Sequence, residues 1–128
     1  MRHVLDASAT LAVILEETGA DAVAMALRSG AAMSTVNAAE VSARLYQDRW
    51  TDPEVALAFE ELGIELLPFS PEAAMLSGKY RIATRHLGLG LGDRACLATA
   101  CLEKCPVLTA DQSWQQLDLA GVEIRCIR

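Results

Sequence analysis

The sequence RHVLDAS at residues 2–8 decides how the rest of the chain is interpreted. A short apolar run ends at an acid, Asp6, and small residues follow, one of them with a hydroxyl. A short apolar run of this kind is typical of a buried strand. In an open α/β sheet, ligands bind outside the carboxyl ends of the parallel strands. We therefore expect Asp6 to follow a central first strand and to face a binding crevice.

Strand-like and helix-like segments alternate along the rest of the chain. Strands are predicted at residues 2–5, 31–36, 64–69, 106–109 and 122–127. Helices are predicted at residues 7–15, 20–28, 37–49, 53–62, 72–86 and 93–104, with Asp52 as the cap of the fourth helix and a short helical turn at 112–117. This alternation indicates a parallel sheet with helices on both faces. We predict one α/β domain over residues 1–128, without a linker or an internal repeat.

The composition indicates a globular protein, because 52% of the 128 residues are hydrophobic and 22% are charged. No apolar run approaches the roughly 20 residues of a membrane helix, and Asp6 comes too early for a signal peptide. We expect a soluble, cytoplasmic protein with no membrane partner. The net charge of −6 argues against a broadly basic nucleic-acid surface. It leaves open contact with phosphate through metal ions and a local arginine patch.

Three further acids lie where a predicted strand leads into a helix: Glu40, Asp93 and Asp111. Each acid also has a purely structural explanation. Asp6 and Asp93 can be helix N-caps, and Asp111 can cap the turn that follows it or close an Asx-turn. Glu40 lies three residues after Asn37, the spacing of a capping-box pair.

As a set, the acids point to a metal site, because the ends of parallel strands share one edge of a sheet. Two like charges about 6 Å apart repel by roughly 3 kcal/mol at an effective dielectric constant of about 20. Protonation or a bound cation relieves this repulsion, and helix N-termini favour the ionised carboxylate. Oxygen ligands without histidine or cysteine suit Mg²⁺ or Mn²⁺. The chemistry that such a site suggests is phosphodiester hydrolysis.

The four acids stand in the motifs VLDASA, NAAEV, LGLGDRACLA and VLTADQSW. Together these motifs resemble the PIN domain and, more narrowly, the VapC-type toxin ribonucleases of bacterial toxin–antitoxin pairs. The resemblance covers nearly the whole chain, including the closing segment at residues 121–124. It implies a single PIN-like domain, a three-layer α/β/α fold with a mostly parallel central sheet. It also implies an endoribonuclease that depends on Mg²⁺ or Mn²⁺.

The resemblance assigns roles to individual residues. It implies that four acids are both catalytic and metal-binding: Asp6, Glu40, Asp93 and Asp111. Asp6 and Asp93 are expected to be the steadiest metal ligands. Glu40 and Asp111 are expected to act partly through water. The hydroxyls of Ser8 and Thr109 are expected to support the site by holding a carboxylate or a water molecule.

The resemblance also implies partners: an RNA substrate, a second copy in a homodimer, and a cognate antitoxin protein in a groove near the active site. The helices between residues 7 and 27 carry more apolar residues than one buried face needs, which is consistent with a partner surface. Arg81, Arg85 and Arg94 flank a glycine-rich turn and can form either an RNA-phosphate patch or a solvated face.

Alternative functions compete with the ribonuclease. A phosphatase with Asp6 as nucleophile would need a second acid two residues later, where Ser8 stands, and a site lysine. A dinucleotide site at the sequence GLGLG of residues 88–92 would need a preceding strand and a third glycine where Asp93 stands. A non-catalytic module that binds RNA or protein through the same crevice remains compatible with the sequence.

Overall fold

A five-stranded sheet runs through the centre of residues 2–128, which are described by a computed structural model. The strands are β1 (His3–Leu5), β2 (Ala31–Ser34), β3 (Glu65–Leu67), β4 (Val107–Thr109) and β5 (Ile124–Cys126). Their order across the sheet is β3-β2-β1-β4-β5, and each neighbouring pair is parallel. The predicted α/β fold with a parallel sheet is confirmed, with β1 at its centre.

Six α-helices connect the strands of the described chain: α1 (Ala7–Ile14), α2 (Ala20–Arg28), α3 (Thr35–Gln47), α4 (Asp52–Leu62), α5 (Pro71–Thr84) and α6 (Leu91–Glu103). Two 3₁₀ segments, Arg85–Leu87 and Gln112–Gln116, follow α5 and β4. Within residues 2–128, no helix is both long enough and apolar enough to span a membrane.

The sheet separates two hydrophobic clusters, because successive side chains of a strand point to opposite faces. Val4 and Val107 pack in a cluster with residues of α5 and α6. Leu5 and Leu108, the next residues in each strand, pack in a second cluster with residues of α1 and α2. Helix α6 is the most deeply buried helix of the first cluster, since its residues 95–100 are all buried. The result is the three-layer arrangement.

The boundary between β2 and α3 differs from the prediction. The sequence predicted a strand at residues 31–36 and a helix from Asn37, whereas the strand ends at Ser34 and the helix begins at Thr35. The Ser34 side chain accepts a hydrogen bond from the N–H of Val36, and this N-cap outweighs the strand preference of two β-branched residues. Asn37 therefore lies inside the first turn of α3 and is not its cap.

Two other helices begin one or two residues earlier than predicted. Helix α4 is capped by Thr51, not by Asp52, and Glu54 completes a capping box with Thr51. Helix α6 begins at Leu91 after Gly90, so Asp93, predicted as its first residue, is its third. In both helices an acid at the third position reaches back to the backbone N–H of the cap residue.

Both edge strands and helix α5 end earlier than predicted. The strands predicted at 64–69 and 122–127 are reduced to three residues each, because both lie at the edges of the sheet and pair on one side only. The helix predicted at 72–86 ends at Thr84, and the chain tightens into a 3₁₀ turn from Arg85. These changes do not alter the order of the elements.

Candidate active site

The strand order places a topological switch point between β1 and β4. The chain runs from β1 outward through β2 to β3, and it then crosses to the other side of β1 to form β4. Crevices that bind ligands open at such a point, outside the carboxyl ends of the strands. Asp6 directly follows β1, and Asp111 follows β4 by two residues. Two of the four predicted acids therefore flank the position where the fold itself provides a crevice.

Asp6 is buried, with 4% of its surface exposed, and it caps α1. Its Oδ1 accepts a hydrogen bond from the N–H of Ala9 at 2.8 Å. The hydroxyl of Ser8 lies 2.8 and 2.9 Å from the two carboxylate oxygens, and the hydroxyl of Thr109 donates to Oδ2 at 2.6 Å. The N-cap explanation is thus correct for Asp6, and the same contacts orient its carboxylate at the crevice.

Burial dominates the ionisation of this carboxyl group and raises the pKa of Asp6 to about 6. The hydrogen bonds from Thr109, Ala9 and Ser8 act in the opposite direction, and the nearby charge of Asp93 raises the pKa further. The donors favour the ionised form, whereas removal from water disfavours it. A cation at the crevice would relieve both the burial penalty and the repulsion from the second acid.

The two predicted supporting hydroxyls also fix the loop after β4. Ser8 Oγ accepts the N–H of Ala110 at 2.9 Å, and Thr109 Oγ1 accepts the N–H of Asp111 at 3.0 Å. The two hydroxyl oxygens lie 3.4 Å apart. Each hydroxyl thus bonds the Asp6 carboxylate and, at the same time, the backbone that leads to Asp111. The geometry of one acid is tied to that of the other.

Asp111 is exposed and begins the 3₁₀ segment that follows β4. Its Oδ1 accepts hydrogen bonds from the N–H of Ser113 at 2.9 Å and from the Ser113 hydroxyl at 2.6 Å. The structural explanation, a cap of the following turn, is therefore correct for this residue. Like Asp6, it combines a cap with a position at the crevice.

Asp93 interacts electrostatically with all three other acids. Its carboxylate accepts the N–H of Gly90 at 3.3 Å. Partial burial raises the pKa of Asp93, the Gly90 hydrogen bond lowers it, and the charges of Glu40 and Asp111 raise it again. Asp6 and Asp93 are coupled in the same way. The four acids predicted from the sequence therefore share one electrostatic environment, with Asp93 at its centre.

Glu40 is placed by two residues to which the sequence analysis gave no role in the site. Its Oε1 accepts a hydrogen bond from the side-chain amide of Asn37 at 2.9 Å, and the same amide nitrogen donates to the carbonyl of Gly92 at 2.9 Å. A Cβ atom at Gly92 would collide with the Glu40 carboxylate. The i,i+3 spacing of Asn37 and Glu40 was a visible signal, whereas nothing in the sequence indicated the contact with Gly92.

The residues at the crevice fit a hard divalent cation by their chemistry. All four carboxylates offer oxygen ligands, and they repel one another in the absence of a counter-charge. Asn37 Oδ1 is buried without a hydrogen-bond partner. Each carboxylate is turned toward local donors, and within residues 2–128 no three His, Cys, Asp or Glu side chains converge into a ready ligand set. Burial raises the pKa of the Cys96 thiol well above its usual value, which favours the neutral form of this side chain.

The arginines near the glycine-rich turn divide into two groups. Arg81 and Arg85 are exposed on α5 and on the 3₁₀ turn that follows it. Arg94 is only partly exposed, and its Nη1 donates to the carbonyl of Ser77 at 3.1 Å. Arg94 is therefore anchored to α5, while its charge lowers the pKa of Asp93. Arg81 and Arg85 differ from Arg94 in being exposed to solvent, and their part in an RNA-phosphate patch stays a prediction.

Comparison with known families identifies this arrangement. A sequence profile of the PIN domain matches residues 3–119, which include all four acids and the first four strands. The chain belongs to the PIN domain family, as the four motifs predicted. A comparison with curated proteins returned no significant match.

Solved structures give the same result for the fold. Chains of the following complexes are similar over nearly their whole length: VapBC-5 of the VapBC toxin–antitoxin family from Mycobacterium tuberculosis (25% identity, TM-score 0.64, 96% of both chains), DNA-bound VapBC from Salmonella typhimurium (16%, 0.74, 100% of this chain and 99% of the other) and VapBC2 from Rickettsia felis, bound to promoter DNA (14%, 0.74, 98% of both chains). The narrower resemblance to VapC-type PIN domains is therefore confirmed for the fold.

Proposed function

We propose that this protein is an endoribonuclease that depends on Mg²⁺ or Mn²⁺ and acts as the toxin of a toxin–antitoxin pair. The observation that carries the proposal is the coupling of Asp93 to three other carboxylates at the switch point of the sheet. Membership of the PIN domain family and the fold shared with VapBC proteins support it.

The charge at the crevice makes a cation necessary for this activity. Four carboxylates repel a phosphodiester, so the site of the free protein disfavours RNA. A divalent ion held there would supply the attraction for phosphate, polarise a phosphoryl oxygen and lower the pKa of water. The buried Asp6 and the half-buried Asp93 are the residues that would hold it, since burial raises the pKa of each and neighbouring carboxylates raise it further: Asp93 acts on Asp6, and Glu40 and Asp111 act on Asp93.

The other residues position the reacting groups. Ser8 and Thr109 orient the Asp6 carboxylate through its two oxygens. Glu40 and Asp111 are exposed, so their carboxylates can bind water and accept its proton as water attacks phosphorus. The new bond joins the water oxygen to phosphorus, and the bond from phosphorus to one ester oxygen breaks. Arg81 and Arg85 would bind neighbouring phosphates.

The proposal is tested by cleavage of total cellular RNA by protein freed of any partner. Wild type is compared with Asp6→Asn and Asp93→Asn in the presence of Mg²⁺ or Mn²⁺ and then with EDTA. Asp21→Asn is a matched control, because Asp21 is an exposed acid in the first turn of α2. We expect wild type and the control to cut RNA at discrete positions, and to do so only when metal is present. In both site variants we expect the cleavage rate to fall by about 100-fold or more.

The alternative outcomes separate the candidate functions. Cleavage that survives both site substitutions and EDTA would contradict the assignment and indicate a contaminating nuclease. RNA binding without cleavage by folded wild type would instead support a non-catalytic RNA-binding module. Binding is measured by fluorescence anisotropy with labelled RNA from the same preparation.

A groove between α1 and α4 supports a protein partner. It has a volume of about 470 Å³ and is lined by both apolar side chains and glutamates: Val13, Ile14, Trp50, Leu57, Ala58, Leu62, Glu16, Glu54 and Glu61. An apolar peptide segment with flanking basic side chains complements this surface. We propose that a cognate antitoxin occupies it, in keeping with the VapBC toxin–antitoxin assignment of the similar protein from Mycobacterium tuberculosis.

The partner is tested by co-expression with the product of the neighbouring reading frame. Leu57 is 52% exposed in the groove, and we expect Leu57→Glu to weaken the complex at least tenfold in calorimetry. Ile82→Glu is the control, because Ile82 is 76% exposed on α5 outside the groove. Equal affinities of both variants would contradict binding of the antitoxin in this groove.

The homodimer stays a prediction. Light scattering of the free protein at micromolar concentration tests it.

A further inference from the structure

Asn37 is a buried polar side chain that links the first turn of α3 to the start of α6. It is 1% exposed, and its amide nitrogen donates to Glu40 Oε1 and to the carbonyl of Gly92, both at 2.9 Å. The orientation of the amide is unambiguous, because both neighbours are acceptors and only the NH₂ group can satisfy them. Both of its N–H donors are therefore committed.

Stability alone does not explain this residue. The Oδ1 atom of Asn37 is buried without a hydrogen-bond partner, and an unsatisfied buried carbonyl destabilises the folded state. An apolar side chain of similar size would avoid that cost. What an apolar side chain cannot do is hold the carboxylate of Glu40 in a fixed orientation at the crevice.

Gly92 makes room for the same carboxylate. It lies in the first turn of α6 with ordinary backbone angles, where alanine would be the better helix former by about fivefold in equilibrium constant. A Cβ atom here would collide with both carboxylate oxygens of Glu40. The Glu40 carboxylate thus lies against the backbone of α6, one residue from Asp93.

We propose that Asn37 and Gly92 are positioning residues that together hold the Glu40 carboxylate beside Asp93. We call this pair the Glu40 clamp; the inference rests on the proposed function and assigns a specific task within it. The clamp joins α3 to α6, so it sets the separation of two acids that come from different helices. In this arrangement the charge of Glu40 raises the pKa of Asp93.

The first test is a double-substitution cycle with two readouts, the affinity for Mn²⁺ by calorimetry and the rate of RNA cleavage. We expect Asn37→Ala to lower both about tenfold or more, while the unfolding midpoint changes little. In a Glu40→Ala background the same substitution should change either readout less than twofold, because the clamp acts only through Glu40. Ser42→Ala on α3 is the control, since its hydroxyl bonds only a carbonyl of its own helix.

The second test compares two glycine substitutions. Gly92→Ala should displace the Glu40 carboxylate and lower Mn²⁺ affinity and cleavage without loss of stability. Gly78→Ala is the matched control, because Gly78 is an exposed residue within α5 and a Cβ there meets nothing within 4 Å. We expect Gly78→Ala to raise the unfolding midpoint and to leave both readouts unchanged.

The outcomes separate this inference from the proposed function. If wild type binds Mn²⁺ and cleaves RNA but Asn37→Ala and Gly92→Ala do the same, the clamp is wrong and the function stands. Equal effects of Asn37→Ala with and without Glu40 would also overturn the clamp. If wild type neither binds Mn²⁺ nor cleaves RNA, the proposed function fails and the clamp fails with it.

Discussion

The hydroxyl of Thr109 donates a 2.6 Å hydrogen bond to Oδ2 of Asp6, and this bond crosses from β4 to β1 at the switch point of the sheet. Both residues are buried. Thr109 Oγ1 also accepts the N–H of Asp111 at 3.0 Å, so one hydroxyl links two of the site acids. The carboxylate at the centre of the fold is therefore oriented by the strand next to it.

Thr109→Val removes this donor without changing the shape of the side chain. A hydrogen bond to an ionised group contributes about 1.5–3 kcal/mol, so we expect the free energy of unfolding at pH 7.5 to fall by about 2 kcal/mol. The pKa of Asp6 should rise further, because the hydrogen bond that lowers it most is lost. Urea unfolding measures the first effect. Thr109→Ser keeps the donor, and an equal loss in that variant would assign the effect to the methyl group.

Asp6 makes the stability of the metal-free protein depend on pH. Its pKa is about 6 in the folded state against an ordinary 3.8, so the folded state binds the proton more tightly. The group's contribution is therefore fully present below about pH 4 and is lost as the pH rises through 6, by roughly 3 kcal/mol in all. Asp6→Asn should accordingly gain stability relative to wild type between pH 4 and pH 7.5. Denaturant unfolding in EDTA measures the difference in free energy of unfolding between the variant and wild type at each pH. This difference would not change with pH if burial did not act on Asp6.

Binding of Mn²⁺ should release protons near pH 6. About half of Asp6 is protonated at that pH, and the ligand must be ionised to bind, so about half a proton leaves from this residue. Asp93 adds to the release, since its pKa is also raised. Calorimetry in buffers of different ionisation enthalpy measures the number, which should fall toward zero at pH 8. Release that grows with pH would contradict the assignment of these two ligands.

The cap of α4 can be tested away from the site. Thr51 Oγ1 accepts the N–H of Glu54, and the Glu54 carboxylate accepts the N–H of Thr51. Thr51→Ala should lower the free energy of unfolding by about 1 kcal/mol, whereas Thr51→Ser should change it little. Neither variant should alter RNA cleavage. A change in cleavage without a change in stability would show that α4 contributes to the site.

The acids could be predicted from the sequence because each combines a local signal with a position after a strand. Asp6 and Asp111 serve as caps in the structure, so the cap explanation is confirmed for them, and their role in a metal site stays a prediction. The exact start of α3 and α6 could not be predicted. Ser34 caps α3 and Gly90 caps α6. The free energies of such caps are about as small as those of the competing strand and helix preferences, so sequence patterns do not fix these boundaries to the residue.

Of the contacts that place Glu40, the pairing with Asn37 had a signal in the sequence, whereas the contact with Gly92 had none. Asn37 and Gly92 are 55 residues apart in the chain and meet because α3 packs against α6. The sequence assigned the first to a helix start and the second to a flexible turn. Neither assignment predicts the contact between them, because a local sequence pattern does not show which helices pack against each other.

By itself, the sequence determined the class of fold and the order of its elements, and it predicted that four acids share one edge of the sheet, because these depend on periodicity and on residues adjacent to strand ends. Only the tertiary structure decided how the acids are held. The hydrogen bond from Thr109 to Asp6 and the contact of Glu40 with Gly92 join segments that are distant in the chain. The burial that raises the pKa of Asp6 also depends on such segments packing together. Burial and electrostatic coupling depend on distance in space, and chain packing alone sets that distance.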